Sequence, residues 1–276
     1  YLLLSSFTSN NILLSLESSL FFIRFLFFSL CVAYVVQSLD SFKEKLKYSF
    51  LLTITILVID AYIQFFSGTN ILGFEYSYSR VSGFFDEELV LGSFLARMMP
   101  IVLGLVTLQS KMKKIEIYYA ILLLVSIDIL TYLSGERTAF FLITLATITL
   151  ILLVRNFRGI RLFSFLVSSL IIIILTFSVE NVKERMIDQT INQTNILKQE
   201  KSFGFSDLHN RYYTTAIQMF FDKPVFGYGP KMYREACSYD RYVNLNGCST
   251  HPHNNYLQSL AELGFIGTIP LFFLFF

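Results

Sequence analysis

Charged residues are scarce in this chain: Asp, Glu, Lys and Arg make up 15% of 276 residues, against about 25% in ordinary soluble domains. That scarcity excludes a water-solvated surface over much of its length. Cysteine is scarce too, and three residues are too few for a disulfide framework. Cys31 falls in an apolar run and reads as packing. Cys237 and Cys248 stand eleven residues apart in the longest polar segment, with pairing and free thiols both open, and pairing favoured only in an oxidising compartment. A net charge of +2 leaves no electrostatic footprint for nucleic acid. No set of His, Cys, Asp and Glu stands at metal-ligand spacing; His251 and His253, two positions apart, make only a weak signal. Neither a metal nor a cofactor is therefore expected, and no internal repeat or low-complexity linker stands out.

What the chain has in excess is apolar residues, 54% of the total, gathered in runs such as Leu51 to Ile59, Ala139 to Val154 and Leu162 to Val179. Crossing a bilayer core about 30 Å thick takes ~20 helical residues. Seven stretches approach or reach that length: 20–37, 49–66, 89–108, 117–134, 138–154, 162–179, and 263 to the last residue. The expected fold class is all-α, a polytopic transmembrane helical bundle. The chain begins at Tyr1 without a Met and stops at Phe276 inside a hydrophobic run, so it reads as a fragment truncated at both ends, with further spans beyond them.

Orientation follows from the Lys/Arg bias of short loops. Three connectors are basic, carrying Lys43, Lys45 and Lys47, then Lys111, Lys113 and Lys114, then Arg155, Arg158 and Arg161. They alternate with 67–88 and 135–137, which carry only Arg80 and Arg137 beside several carboxylates, a bias of nine basic residues to two. The basic loops are placed in the cytoplasm and the other two outside. Alternation then puts 180–262 outside, where nine Lys/Arg balance nine Asp/Glu. A segment this long should fold as a helical extracytoplasmic cap. Residues 1–179 are thus expected to form the transmembrane helices with short loops, 180–262 the cap, and 263–276 the start of a further span. Inside the cap, Arg211 to Phe221 reads as an amphipathic helix with Tyr213, Ala216, Ile217 and Phe220 on one face. Lys223-Pro224 and Gly227-Tyr228-Gly229-Pro230 end it as a turn, and a second helix begins near Thr250 to Pro252.

The outer face then holds Arg80, Arg137, Arg211 and His253, from four separate segments. An arginine near a span end commonly snorkels to lipid headgroups or anchors its helix. Against that, Ser82-Gly83 follows Arg80 and Ser134-Gly135 precedes Arg137, and small residues let a guanidinium approach an anion. Its planar fork of donors matches paired phosphate oxygens. His253, expected in the first turn of its helix, would be held neutral by the positive end of the dipole and so able to accept a proton from a sugar hydroxyl; a capping or interface histidine is the alternative. Arg24, Asp60, Arg97 and Asp128 fall inside spans, where charge is costly, and pairing of Arg97 with Asp128 or Asp60 is expected.

The run Thr250-His251-Pro252-His253-Asn254-Asn255-Tyr256-Leu257, ending in Ala261-Glu262-Leu263-Gly264-Phe265-Ile266-Gly267, resembles the signature of the O-antigen ligase and O-antigen polymerase superfamily. Its pattern is His-Asn, nine residues, then Gly, met here by His253-Asn254 and Gly264. Weaker resemblances follow that family's order: Arg80-Val81-Ser82-Gly83-Phe84-Phe85, then Ser134-Gly135-Glu136-Arg137, then Arg211 through Asp222-Lys223-Pro224-Val225-Phe226-Gly227-Tyr228-Gly229. The resemblance implies a multi-pass protein of the bacterial inner membrane with its site on the periplasmic face. It implies an inverting, metal-independent glycosyltransferase whose donor glycan is carried on undecaprenyl diphosphate. The acceptor would be lipid A-core for a ligase or another lipid-linked glycan for a polymerase. Carried onto this sequence, His253 activates the acceptor hydroxyl, Arg80, Arg137 and Arg211 hold the diphosphate, and Asn254 and Gly264 support. Outside the enzyme class, a polysaccharide flippase would instead line a path through the spans with its charges.

Overall fold

The computed structural model describes residues 1–38, 42–76, 79–106, 113–155, 158–194, 207–243 and 245–273. Lys111, the 89–108 span beyond residue 106 and the last three residues lie outside that set. The helices are α1 (Leu2–Phe7), α2 (Ile12–Ser38), α3 (Phe42–Ser67), α4 (Leu91–Val106), α5 (Lys114–Leu133), α6 (Arg137–Leu153), α7 (Arg158–Ser178), α8 (Glu180–Lys183), α9 (Gln189–Thr194), α10 (Asp207–Asp222), α11 (Tyr233–Ala236), α12 (Asp240–Val243) and α13 (Asn255–Phe273). Among the described residues the only β pairing is an isolated bridge between Thr69 and Glu75. The fold class is therefore the all-α bundle expected. By length and composition α2, α3, α5 and α7 can each cross a membrane, while α4 and α6 are shorter apolar helices.

The chain divides into two compact units, Tyr1–Ser38 with Ile191–Phe276, and Leu39–Thr190. The central unit, Leu39–Thr190, is organised about α5. From Leu123 to Leu133 every residue of α5 is buried, and a helix apolar on all sides belongs in the middle of a bundle. Its neighbours α3, α4, α6 and α7 supply Ile54, Leu95, Met99, Ile143 and Ile172 to one continuous core.

Asp128, in the second half of α5, pairs with Arg161 rather than with Arg97. Arg161 Nη1 and Nη2 donate to its two oxygens at 2.8 Å each, and Ser168 Oγ adds a third bond at 2.9 Å. Arg161, read above as a loop residue, lies one turn inside α7 and is 1% exposed. Removing it from the basic loops leaves their charge bias in place. Arg97 is exposed on α4, and Arg24 lies exposed over the rings of Phe21 and Phe25. Asp60 is also fully buried, but accepts from Asn70 Nδ2 (3.1 Å) and the Ile71 amide (3.0 Å), so it organises the loop after α3 and, among the described residues, pairs with no cation.

In the terminal unit α1 folds back on α2 through the Ser6 and Ser19 hydroxyls, 2.8 Å apart. Along α2 only Ser15 and Ser19 are buried, and Phe21, Phe22, Phe25, Phe27 and Phe28 stand exposed. Such a surface is at home against lipid. Cys31 is exposed on it, not packed. The polar part folds around Ala216, Met219, Tyr228, Met232, Tyr233, Tyr242 and Ala261, and a disulfide joins Cys237 to Cys248. Helix α10 buries Thr215, Ala216 and Met219 and exposes Ile217, so its inner face is rotated from the expected stripe. The small Thr215 and Ala216 side chains lie inward, and α10 packs on α13.

Candidate active site

In the central unit the side chains of Arg80 and Arg185 close on Gly135, and Arg137 reaches Arg185 from the start of α6. This glycine joins α5 to α6 with φ of +68°, a backbone conformation that costs other residues. A Cβ there would lie 2.9 Å from Arg80 Cγ and 3.1 Å from Arg185 Nε, so the missing side chain is what lets both arginines close on the turn. Arg80 Nε donates to the Ser134 carbonyl (2.7 Å) and Nη2 to the Leu89 carbonyl (2.8 Å). Arg137, the first residue of α6, donates from Nη2 to the Arg185 carbonyl (3.2 Å) and to Gln189 Oε1 (3.4 Å). Arg80 and Arg137 thus lie near one another, with Arg185 beside both. The amides of Ser82 and Gly83, by contrast, both donate to Gln64 Oε1 at 2.8 Å, so these small residues shape the loop and do not present free N–H groups to an anion.

Glu136, the carboxylate beside Arg80, is already occupied. Glu136 accepts from the Gly92 amide at 2.7 Å, the Ser93 amide at 3.2 Å and the Ser93 hydroxyl. It caps the N-terminus of α4, where the helix dipole favours negative charge. Burial lowers the proton affinity of Arg80, Arg185 lowers it further, and Glu136 offsets this. For Arg137 burial again leads, followed by Arg185 and Arg80. Like charges are thus held at close range, an arrangement that costs free energy unless an anion lies among them.

In the terminal unit His253 sits exposed in a tight turn at φ +56°. It precedes α13 and is not part of its first turn. The cap is Asn254, whose Oδ1 accepts from the amides of Tyr256 (3.0 Å) and Leu257 (3.1 Å). An asparagine supplies this acceptor, and a histidine at the same place does not, which is why the helix starts later than the Pro252 signal suggests. The imidazole stacks on Tyr212, ring centroids 5.3 Å apart at 29°. His251 lies 4.2 Å and His209 5.7 Å from it, so the three histidines of the chain form one cluster. Partial burial lowers the proton affinity of His253, and His251 and then His209 add to the effect. The ring is accordingly a neutral acceptor at neutral pH. Arg211 precedes Tyr212 on α10 and its side chain is exposed.

Gly264 explains the spacing of the His-Asn motif. It breaks α13 with φ 64° and ψ −167°, a region essentially closed to other residues. The loop after α10 docks into the break. Phe265 N donates to the Pro224 carbonyl (2.7 Å), Tyr228 N to the Ala261 carbonyl (3.0 Å) and Gly229 N to the Glu262 carbonyl (2.8 Å). Neither Gly264 nor Gly227 has room for a Cβ, which would meet backbone at 2.4 Å in each case. The Pro224–Gly229 run and the His-Asn-Gly motif are therefore two halves of one clamp.

Two features escaped the sequence reading. Arg185 sits in a π-helical turn, Glu184–Asp188, in a segment whose balanced charges marked no residue out. The Asp128–Arg161 pair was hidden because a helix start cannot be placed to within a turn from hydropathy alone.

A family model described as O-antigen ligase matches residues 119–272, more than half of the chain. The matched segment includes Arg137, Arg185, Arg211, His253 and Gly264 and leaves Arg80 before it. No curated protein and no solved structure matches.

Proposed function

Because the chain belongs to the O-antigen ligase family, we propose that it transfers a glycan from undecaprenyl diphosphate to an acceptor sugar at the periplasmic face of the bacterial inner membrane. The acceptor hydroxyl oxygen attacks the anomeric carbon as its proton passes to His253. The bond from that carbon to the diphosphate breaks with inversion, and undecaprenyl diphosphate leaves with the electron pair. Arg80, Arg137 and Arg211 bind the diphosphate and stabilise the charge that grows on it, a metal-independent form of electrostatic catalysis. Asn254 and Gly264 support His253 by starting and breaking α13 where they do.

The observation that carries this reading is the state of His253. Its ring is exposed to a substrate, braced by Tyr212 and biased to the neutral form that a general base requires. Support for an anion in the central unit comes from Glu136, whose carboxylate is spent on α4 while Arg80, Arg137 and Arg185 lie close enough to oppose one another's charge. The disulfide Cys237–Cys248 supports an oxidising, extracytoplasmic location for its segment.

In a strain deleted for this protein, the His253→Ala variant should restore normal protein levels but no long-chain surface glycan. Normal glycan in that strain would remove His253 from the chemistry. Lipid A-core as acceptor makes the protein a ligase, and a lipid-linked glycan as acceptor makes it a polymerase. The carrier lipid of the deletion strain separates them, since accumulated polymer indicates a missing ligase and single repeat units a missing polymerase.

A further inference from the structure

We propose that Arg185, braced by Gln189, is a third ligand of the diphosphate in the central unit. This deepens the glycan-transfer reading and rests on it. Arg185 Nη1 donates to Gln189 Oε1 at 2.8 Å, and the same oxygen accepts from Arg137 Nη2 at 3.4 Å. One amide oxygen thus sets the spacing of two guanidinium groups. Arg80 reaches the cluster from the other side of Gly135.

Two of the three arginines keep donor capacity in reserve. Among the described residues, Nη2 of Arg185 and Nη1 of Arg80 have no protein acceptor, and neither side chain forms an ion pair. Several of the other donor atoms are used to hold the groups in place. A diphosphate offers more than one anionic oxygen, and Arg recognises such groups through paired donors. The segment that carries Arg185 is itself fixed, since Val182 is buried in the core and Met186 packs against it. The one-turn π-helix that holds both Arg185 and Met186 is the kind of irregularity that recurs at functional sites.

A purely structural role makes a different prediction. Arg137 is tied to Arg185 through the Arg185 backbone carbonyl, which survives any side-chain substitution. The full-length protein in detergent is therefore tested with inorganic pyrophosphate as probe, using orthophosphate and sulfate as controls. Arg185→Ala should weaken pyrophosphate binding ~10–100-fold, the usual size for charged hydrogen bonds, while leaving the melting temperature without anion unchanged. Arg185→Lys should recover part of the loss. Gln189→Glu, which keeps volume and places a carboxylate in the gap, should weaken binding comparably and serves if Arg185→Ala does not fold. Wild-type affinity in Arg185→Ala or, failing that, in Gln189→Glu would overturn the assignment of Arg185 and leave the parent reading standing. If the unmodified protein shows no preference for pyrophosphate over sulfate, the diphosphate site itself falls.

Discussion

Replacing Gly264 by alanine should be among the most damaging single-methyl additions the chain can receive. Its backbone lies where side-chain-bearing residues pay roughly 1–3 kcal/mol of strain. The new Cβ would also sit 2.4 Å from the Val225 carbonyl oxygen and 2.7 Å from the Gly227 amide. Both are backbone atoms, so relief requires the 224–229 loop to withdraw. Withdrawal breaks the bonds from Phe265, Tyr228 and Gly229 that fasten the loop to α13, each worth about 0.5–1.5 kcal/mol. Together these give roughly 2.5–7.5 kcal/mol, a large part of a typical total of about 5–15 kcal/mol. The comparison variant is Gly104→Ala on α4, where a Cβ meets nothing within 4 Å and helix propensity gains about 0.5–1 kcal/mol. Thermal unfolding of the two variants in detergent, with proteolysis of the 224–229 loop as a local probe, should show Gly264→Ala strongly destabilised and the loop cleaved. Equal melting of Gly264→Ala and the unmodified chain would refute the clamp.

Arg161→Met or Asp128→Asn should each cost about 3–5 kcal/mol of stability by leaving a buried partner uncompensated, while the double variant Asp128→Leu/Arg161→Met recovers most of it; additive losses would show that the two groups do not act as a pair. The lowered proton affinity of His253 means it loses its proton below its ordinary value of 6.5, so transfer should remain active as pH falls to that value and fail only below it. Substituting His251 and His209 by glutamine removes the neighbouring charges that oppose protonation, so the acid limb of the pH–rate profile should move upward; an unmoved limb would show that His253 does not set it.

The long helices were legible because one physical quantity decides them. A run of about twenty apolar residues has few stable fates other than a span, and α2, α3, α5 and α7 each correspond to one of the runs, ending within one or two residues of it while α2 and α3 start seven or eight residues earlier. Register was harder to read than existence. On α10 the expected stripe of Tyr213, Ala216, Ile217 and Phe220 holds only at Ala216, which is buried with Thr215 and Met219 while Ile217 is exposed, because apolar residues on several sides of that helix leave its inner face open to more than one choice. Arg161 failed for a related reason. Loop-charge counting assigns any arginine near a span end to the aqueous side, whereas a carboxylate one helix away can draw the same side chain inward.

The candidate site shows the same division between what spacing encodes and what it does not. Nine residues separate Asn254 from Gly264, about two and a half turns at 3.6 residues per turn. Asn254 sets where the helix begins, and Gly264 sets where it breaks to receive the 224–229 loop. The motif therefore acts as a ruler, holding His253 at a fixed distance along the helix from the clamp. Adding or removing one residue between them would turn the histidine by roughly 100° about the helix axis relative to that clamp, so the interval is as constrained as the end residues. Arg185 has no such ruler. Its position depends on a π-turn and on a glycine 50 residues earlier in the chain, Gly135, and contacts of that range leave no periodic trace. The residues best hidden from sequence reading are thus those that meet only after the helices have packed.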